Sequence, residues 1–517
     1  MMVAVLVASL ASVSCAWAQE SGATTFQVTG YHVTGDLPVE IKNIDALLAT
    51  YTGEHNNTEG LQEAADTLEK KIHERGYTFV RVVIPRQPLD DGDIELRVVS
   101  FMLDKINISG NVHFGEDNIR ASLPHLVQGK TPNMRSLARN LDAGRIHPAR
   151  KSKITFVASA DPGKLDANVQ VSDRKPSSFF SWLNNTGTDE TGHYRLGLGY
   201  QYSNLFDRDH NATLTYTTSP TDTDKVDQYG MRYQVPLYRS GGLLTLLWSE
   251  SDVSSGRVAD YFDISGQGSV RGMQYTRFFT RKEGYAQKLV LALNDKLFEN
   301  DIDFNGQPIG NDVRSRPLSL QYRGDLQSEN LVSDFHLEYV QNVSGGSFND
   351  DEAYSASRQG ASSDWSLVRY GASVRKTVSG WTLSGVFNGQ YTDETLIAGE
   401  HLGIGGAQSV KGFNEREISG DKGYQMLLEA WSPKLGKHNA RGVLFLGGGS
   451  VSLIEPLQGE LSKDRILGMG FGFNWSYKGK LNARVDFAYV PEGNDSGTET
   501  ATQDGEERVH FNLAYRW

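Results

Sequence analysis

The sequence is poor in the residues that build metal and redox sites. Its 517 residues include one cysteine, Cys15, which lies in an apolar leader, so the mature chain is predicted to form no disulfide and no thiolate metal site. The twelve histidines are scattered, without the H-x-x-x-H or carboxylate spacing typical of metal ligands. No GxxxxGK[ST] motif occurs, and no Ser/His/Asp set can be selected. We therefore expect no cofactor, no bound metal and no enzymatic activity.

Two further absences narrow the class of protein. The formal net charge is −12 at pH 7, and the chain has no basic stripe. Because phosphate backbones are held mainly by clustered Lys and Arg, we expect no nucleic-acid partner. After the leader no run of about 18 apolar residues occurs, so no transmembrane helix is predicted. A membrane protein with a mean hydropathy of −0.43 would have to be a β-barrel, in which alternate side chains face lipid.

The leader itself indicates export. Residues 1–18 are apolar and end in the letters AWA, the small-x-small pattern of a signal-peptidase site before Gln19. The segment lacks a basic n-region, so an upstream start codon stays open. Cys15 would permit a lipoprotein, but the two residues before it fit a lipobox poorly. The leader therefore predicts a signal peptide.

Residues 24–101 predict a compact α+β module. "TFQVTGYHVTG" alternates like a strand, and "YTFVRVVIPRQPLDDGDIELRVVSFML" predicts two strands that turn between Pro88 and Gly92. Between them, "NTEGLQEAADTLEKKIHERG" predicts an amphipathic helix with Thr58 as its N-cap and Gly76 just past its end. The predicted buried face of this helix consists of Leu61, Ala64, Ala65, Leu68 and Ile72.

Residues 102–173 repeat the same order of elements. The letters "INISGNVHFGED" resemble "VTGYHVTGD" in the first module. "MRSLARNLDAGRI" predicts a helix with Met134, Leu137 and Leu141 on one face, and two strands follow around Pro162 and Gly163. An internal repeat of roughly 75 residues is the simplest explanation.

From residue 176 to residue 517 the sequence consists of short alternating segments separated by Gly, Asn, Asp and Ser. In "ILGMGFGFNWSY", large apolar side chains alternate with Gly, Asn and Ser, so one face suits lipid and the other a polar lumen. At roughly 21 residues per strand with its loop, this region holds sixteen strands. A soluble β-sandwich or propeller is the alternative, but soluble sheets do not sustain exposed aromatic rows over many strands. We therefore predict a sixteen-stranded transmembrane barrel.

The end of the chain continues this alternation. "RVHFNLAYRW" places Phe511, Tyr515 and Trp517 on one face of a final strand and ends on an aromatic residue. Outer-membrane barrels present such a strand to their assembly machinery, so these three residues are predicted to be a barrel-assembly signal.

A signal peptide, two α+β modules and a sixteen-stranded barrel together resemble the transporters of two-partner secretion, the ShlB/FhaC/HecB-like family of the BamA superfamily. The modules resemble POTRA domains, and the end of the first carries the motif residues Pro85, Gln87 and Gly92. A glycine-rich segment at about 403–425 resembles the family's VRGF-x-E…GD-x-G…E motif, a loop that folds back into the barrel lumen. The matching residues here are Val410, Lys411, Gly412, Phe413, Glu415, Gly420, Asp421, Gly423 and Glu429.

Two positions depart from the family pattern. The family's arginine is Lys411 here, and in the later F-x-D-x-G motif, which starts at Phe445 and ends at Gly449, the aspartate is replaced by Gly447. An arginine fork and a carboxylate are natural partners, so the loss of both is physically consistent. A buried lysine still needs compensation, and either Glu429 or Asp486 is the expected partner. The alternative is an ordinary surface loop with a solvated lysine.

The resemblance implies a function in secretion. It predicts an outer-membrane protein whose periplasmic POTRA domains recognise one large unfolded exoprotein with an N-terminal secretion domain, and whose barrel passes it outward without ATP. Further expected partners are outer-membrane lipid and the barrel-assembly machinery. Some family members carry an N-terminal plug helix, for which residues 19–26 leave no room, so the inward loop is expected to close the lumen.

Three other functions were weighed against secretion. A BamA-like assembly factor would ordinarily carry more POTRA repeats, and a diffusion porin would not need these modules. An outer-membrane protease or lipase would need a catalytic set. Cytolysins, adhesins, contact-dependent toxins and haem-scavenging proteins are all cargoes of similar transporters, and the residues favour none of them.

Overall fold

A computed structural model describes residues 25–188, 191–252, 256–258, 262–264, 267–281, 284–299, 303–304, 307–308, 311–436, 439–496 and 501–517. The predicted signal peptide lies outside the described residues. The chain divides into two compact units, one containing the residues up to Lys175 with Tyr238–Gly241, the other Pro176–Leu237 with Gly242–Trp517. In the described part of the chain, no helix is long and apolar enough to cross a bilayer.

The first unit begins with the predicted α+β module. Its elements are β1 (Phe26–Val28), β2 (Gly30–Gly35), α1 (Ile44–Leu48), a 3-10 turn (Ala49–Tyr51), β3 (Gly53–His55), α2 (Glu59–Glu74), β4 (Val80–Val83) and β5 (Asp93–Ser100). β1 pairs with β3. The main sheet has the order β2-β5-β4, with β2 parallel and β4 antiparallel to β5.

The amphipathic helix of this module is α2, as predicted. Its buried residues are the five that the helical spacing indicated. Gly76 follows the helix with φ +99°, a conformation that favours glycine. Thr58 occupies the N-cap position, but its hydroxyl makes no capping hydrogen bond. The side-chain oxygen of Asn57 instead accepts a hydrogen bond from the backbone N–H of Glu59, at 3.1 Å.

The second module contains β6 (Met102–Ser109), α3 (Glu116–Ser122), α4 (Met134–Arg145), β7 (Arg150–Ala158) and β8 (Lys164–Asp173). Its sheet has the order β6-β8-β7, with the same parallel and antiparallel pairings as the first. Gly35, the last residue of β2, and Gly110, directly after β6, have φ +89° and +80°. A Cβ at either position would overlap a backbone carbonyl oxygen of the central strand, that of Val98 or Val171. The two modules are therefore built alike.

The second unit is a closed antiparallel barrel of sixteen strands, as predicted. In chain order the strands are β9 (Ser177–Asn184), β10 (Arg195–Leu205), β11 (His210–Thr218), β12 (Asp227–Leu237), β13 (Gly242–Ser251), β14 (Gly268–Phe278), β15 (Tyr285–Phe298), β16 (Val313–Ser315 and Pro317–Gln327), β17 (Leu331–Asn342), β18 (Ser366–Val378), β19 (Trp381–Tyr391), β20 (Lys422–Trp431), β21 (Ala440–Ser452), β22 (Lys463–Tyr477), β23 (Leu481–Glu492) and β24 (Glu507–Arg516). Neighbours in the barrel are consecutive in sequence, and β24 pairs with β9 to close it.

Several short elements lie in the connections between barrel strands. They are the hairpins Gly256–Val258 with Phe262–Ile264, Asp303–Phe304 with Gln307–Pro308 and Leu402–Ile404 with Ile418–Gly420, the helix α5 (Asp351–Ser357), and a 3-10 turn at Ala398–Glu400. The helix α5 lies in the polar, acidic connection between β17 and β18. Asp350 caps this helix by accepting a hydrogen bond from Ala353 N at 2.9 Å.

In β22, large apolar side chains on the outer face of the barrel alternate with small or polar residues on the inner face. Phe471, Phe473 and Tyr477 are exposed on the outer face. Phe471 stacks on Phe487 of the neighbouring strand, with ring centroids 5.2 Å apart. The glycines between them face inward, so the outer surface is apolar and aromatic where lipid is expected.

The seam between β24 and β9 is short. Five residue pairs close it, whereas β10 and β9 share eight. The side chain of Asn185 lengthens the seam, because its Nδ2 donates to Val509 O at 2.7 Å and its Oδ1 accepts from Phe511 N at 2.9 Å. Tyr515 and Trp517 contact each other edge to face, 4.8 Å between centroids. Their role as an assembly signal stays a prediction.

Candidate functional site: a loop folded into the barrel lumen

The connection between β19 and β20, here called the inward loop (residues 392–421), lies inside the barrel. Its hairpin pairs Leu402 with Gly420 and Ile404 with Ile418. The turn between them carries Val410 and Phe413, both fully buried. These apolar side chains form one core with wall residues of β21, β22 and β23, namely Val451, Ile466 and Val490. The loop therefore contributes an apolar core inside the barrel.

Glycines on the barrel wall allow the loop backbone to come close. A Cβ on Gly468 would overlap the carbonyl oxygen of Lys411, and one on Gly447 would lie 3.4 Å from Ser409 O. A Cβ on Gly449 would lie 3.0 Å from the side chain of Ile404. The loop backbone thus lies beside the position at which the family carries an aspartate.

Gly412 at the tip of the loop is required by the local backbone. It has φ +105°, and a Cβ there would lie 2.9 Å from a methyl group of Val490 on the wall. Its N–H donates to His510 Nε2 on β24 at 2.9 Å. Both the conformation and the close approach therefore select glycine.

Lys411 belongs to a group that we call the inner ion cluster, which also contains Asp486, Arg484 and Glu429. Lys411 is 2% exposed, and its Nζ lies 3.2 Å from Asp486 Oδ2. Nζ also donates to the carbonyl oxygen of Ala407. Arg484 Nε donates to both oxygens of Asp486, at 3.0 and 2.8 Å, and Arg484 Nη2 donates to Glu429 Oε1 at 2.6 Å. Two cations thus face two carboxylates, so their burial is compensated.

Of the two carboxylates considered for Lys411, Asp486 is the one that contacts it. Glu429 instead pairs with Arg484 and accepts a hydrogen bond from Trp431 Nε1 at 3.1 Å. Lys411 Nζ also lies 5.6 Å from the ring centroid of Phe445, a distance typical of a cation–π contact. Asp486 is on β23, two strands away from Gly447 on β21.

Arg484 and His510 were missed by the sequence reasoning. Arg484 could have been found, because it is two residues from Asp486 on one strand and therefore shares its face. His510 lies on the inner face of β24, opposite the apolar residues that were singled out there.

Asp421, the last residue of the inward loop, holds the C-terminal end of the loop in place. Its Oδ1 accepts from Leu396 N and its Oδ2 from Ile454 N, both at 2.7 Å. Arg358, which follows α5, approaches Oδ1 to 3.2 Å, and His401 Nε2 approaches it to 3.3 Å. The carboxylate of Asp421 thus joins the loop to two neighbouring connections.

The remaining motif residues of the loop have local roles. Glu415 accepts a hydrogen bond from Ala407 N at 2.9 Å and so closes the turn around Lys411. Gly420 ends the short hairpin, and Gly423 lies in β20 opposite Val451. Glu417, which was not predicted, accepts from Thr502 N at 2.9 Å.

A second buried carboxylate, Glu400, has no counterpart in the predictions. It lies in the outer ion cluster, which we define as Glu400, Lys296, Arg369 and Ser315. Lys296 Nζ donates to both oxygens of Glu400, at 2.9 and 3.0 Å, and Ser315 Oγ donates to Oε1 at 2.6 Å. Arg369 Nη2 lies 3.3 Å from Oε2. These partners come from β15, β16 and β18.

The motif residues of the first POTRA-like module have a structural explanation. Continuing the β4–β5 register past Val83 would place Pro85 opposite Glu95, and proline has no N–H to donate. The side chain of Gln87 replaces the missing pairing: its Nε2 donates to Glu95 O at 3.0 Å and its Oε1 accepts from Glu95 N at 2.8 Å. Gly92 has φ +72°, and its carbonyl oxygen accepts from Thr29 N at 2.6 Å.

The carboxyl group of Glu95 also accepts hydrogen bonds from neighbouring side chains. Hydrogen bonds from Thr34 and then from Arg97 lower the pKa of the Glu95 side chain below its ordinary value. The Glu95 side chain is partly exposed and its partner Arg97 is exposed, so this ion pair contributes little to stability.

Two cavities in the barrel meet at the loop tip. One of about 810 Å³ is lined by Trp182, Arg516 and Lys411, and one of about 1130 Å³ by Glu417 and Asn494. The inward loop separates them. Among the described residues, no group of three or more His, Cys, Asp or Glu side chains could hold a metal ion.

Residues 163–475 match the family described as haemolysin secretion/activation protein ShlB/FhaC/HecB. The chain belongs to this family. Residues 26–100 of the transporter match the POTRA domain of ShlB type. Its place in two-partner secretion, expected from the motifs, is confirmed.

Relatives and solved structures agree with this assignment. The transporter is 23% identical over 403 residues to the outer membrane transporter CdiB of Dickeya dadantii (strain 3937), an alignment that covers 76% of this chain and 70% of that protein. CdiB from Escherichia coli has a similar structure, with a TM-score of 0.75 and 16% identity over 98% of this chain and 93% of that one. BamA from Haemophilus ducreyi lacking POTRA domains 1–3 gives a TM-score of 0.51 at 13% identity, over 95% and 100%. BamA therefore shares the fold.

Family membership establishes the function at the level of the class. The transporter is an outer-membrane β-barrel of two-partner secretion that carries a secreted exoprotein across that membrane, with its POTRA region in the periplasm. Members of the family are secretion and activation proteins and transporters, and they are not known as enzymes.

Proposed function

We propose that the inward loop is the gate of the transporter, and that one large unfolded exoprotein passes through the lumen when the loop leaves its docking site. The observation that carries this proposal is the position of the loop tip, where Lys411 is buried between two lumenal cavities. A solvated surface lysine, which was the alternative, would not have a carboxylate partner at 3.2 Å and an aromatic ring beside it.

The inner ion cluster suits a contact that must break and re-form. When Lys411 leaves, Asp486 keeps both hydrogen bonds from Arg484, so no uncompensated carboxylate remains on the wall. Lys411 itself would then be hydrated in the lumen. A lysine also makes a single-point contact, whereas an arginine would make a bidentate one. Both features lower the cost of release.

The exoprotein is proposed to arrive at the edge strand β7 of the second POTRA-like module. Ser159 N donates to Lys164 O at 3.1 Å across the β7–β8 turn, so odd-numbered residues form the hydrogen-bonded pairs with β8. Even-numbered residues, such as Ser152, therefore direct their N–H groups toward the edge. An extended peptide adds to such an edge through main-chain hydrogen bonds, which tolerate many sequences.

Strand β4 of the first module is a poorer site for this addition. By the same reasoning Val82 directs its N–H toward the edge, but this N–H donates to Glu69 Oε2 at 3.0 Å. Arg81 Nη1 also lies 2.8 Å from Glu69 Oε1. A side chain of α2 therefore occupies the centre of that edge, and β7 is favoured.

The remaining expectations complete the proposal. The cargo is one exoprotein with an N-terminal secretion domain, and its folding outside the cell makes passage one-way without ATP or any catalytic step. The outer face contacts lipid, and Phe511, Tyr515 and Trp517 are proposed to engage the barrel-assembly machinery during insertion.

Removing the inward loop tests the gate. Replacement of residues 403–420, which precede β20, by a short linker is expected to raise single-channel conductance in planar bilayers to the range of a water-filled porin, because sixteen strands enclose an aqueous channel when nothing fills it. A control variant lacks residues 456–460, in the exposed loop between β21 and β22, and should conduct like the unmodified protein. A loop-deleted barrel that inserts but stays closed would contradict the proposal.

A further inference from the structure

The inward loop contacts the barrel wall through ions at two separate places. At one place Glu400 meets Lys296 on β15 and Ser315 on β16. At the other, Lys411 meets Asp486 on β23, and Gly412 N meets a side chain of β24. β15 and β23 are eight places apart in a closed ring of sixteen strands, as are β16 and β24. The Lys296 and Ser315 contacts of Glu400 therefore lie on the wall opposite the Lys411 contact.

The two contacts also differ in their position along the barrel axis. Lys296 is two residues before the end of β15, where a long connection of residues 299–312 begins. Long connections of outer-membrane barrels are extracellular, so this contact is near the outer rim. Asp486 is the sixth of the twelve residues of β23, at mid-height. The loop thus crosses the lumen obliquely from the rim of one wall to the middle of the other.

We infer that Glu400 is a second anchor of the gate, and that the inward loop closes the lumen as a strut held on opposite walls by Glu400 and Lys411. This inference rests on the proposed role of the loop as the gate. Glu400 acts through the loop and is a positioning residue.

The surroundings of Glu400 support an anchoring role. The residue is 1% exposed, and its side chain receives Lys296, Arg369 and Ser315 from three strands. Gln390 Nε2 donates to the carbonyl oxygens of both Glu400 and Asp421, each at 3.0 Å. The anchor residue itself and the C-terminal end of the loop are thereby both joined to β19. Neutralising Glu400 would leave two partly buried cations, Lys296 and Arg369, without a carboxylate between them, which favours departure of the loop.

The test is the fraction of time that single channels spend open. Glu400→Gln should raise this fraction by at least about tenfold, since one lost buried charge contact shifts a two-state equilibrium by a decade or more. Glu394→Gln, in the same segment but exposed, should change nothing. Heat-modifiable migration of the barrel in denaturing gels establishes that each variant is folded.

Variants on the wall side keep the inference falsifiable. If Glu400→Gln does not fold, the test uses Lys296→Met and Ser315→Ala, each of which should also raise the open fraction. Lys296→Arg keeps the positive charge and should keep the channel closed. If the loop is a strut, releasing either anchor opens the same gate. The open fraction of channels with both Glu400→Gln and Lys411→Met should therefore not exceed the larger of the two open fractions measured for the single variants. Closed channels in folded Glu400→Gln or Lys296→Met would overturn the second anchor.

The loop-deleted channel distinguishes the two proposals. If it opens while the Glu400 and Lys296 variants stay closed, the gate stands and the second anchor fails. If the loop-deleted channel itself stays closed, the gate proposal fails and the anchor inference fails with it.

Discussion

Lys411 shows how two departures from a motif can compensate each other. The loop backbone occupies the space beside Gly447, and the carboxylate comes from Asp486 on another strand. The alternation of side chains predicted that Glu429 and Asp486 face inward. It could not predict which one meets the lysine, because that depends on how far the loop reaches and on the stagger of strands that are not neighbours. Glu400 gave no signal, since it lies outside any regular strand and its partners are distant in sequence.

The two carboxylates should differ when they are neutralised. Asp486→Asn removes the carboxylate of the Lys411 pair, and loss of one partner of a buried pair costs about 3–5 kcal/mol. We expect the inward loop to undock, with frequent openings in planar bilayers. Glu429→Gln leaves the contact between Lys411 and Asp486 in place and should have a smaller effect. Equal effects, or none from either change, would show that Asp486 does not hold the loop.

Helices and strands with a strong apolar period were predicted correctly from the sequence. Elements that depend on local hydrogen bonding were not. The buried face of α2, the alternation of β22 and the repeated strand order of the two modules follow from residue spacing. Helix α5 is short and polar, so it has no apolar period to find. The role of Gln87 depends on the β4–β5 register. In that register Pro85 cannot donate to Glu95, and the side-chain amide of Gln87 makes the hydrogen bonds instead.

The edge of β7 gives a prediction at this scale. Ser152→Pro removes an N–H that points away from β8, so the β7–β8 ladder should persist while an added strand loses a hydrogen bond. Secretion of the exoprotein into the medium should fall several-fold, with an unchanged amount of folded transporter in the outer membrane. Ser152→Ala keeps the N–H and is the matched control. Normal secretion by the proline variant would exclude pairing at this edge.

For the whole molecule, sequence length and alternation predicted the number of strands and the lipid-facing surface. The order of strands around the ring is needed before opposite walls can be recognised, and residue spacing alone does not contain it. Only the closed ring places β15 opposite β23. The function of the class follows from the family, whereas the movement of the gate follows from the contacts of the inward loop.

The central claim is that the inward loop must leave the wall for transport. A Cβ on Gly447 would lie 3.5 Å from Val410 Cα, so cysteines at these two positions are neighbours whose disulfide formation can be tested. The natural sequence offers no competing thiol beyond Cys15 in the predicted leader. The variant carrying both Val410→Cys and Gly447→Cys therefore allows the loop to be tied to the wall and released again.

The decisive measurement is exoprotein secretion by cells with this double variant, before and after reduction, with the two single-cysteine variants as controls. We predict that the oxidised transporter secretes no exoprotein and that a reductant restores secretion, while the single variants secrete under both conditions. Equal secretion by the oxidised and reduced double variant, with the disulfide verified by gel mobility, would contradict the account.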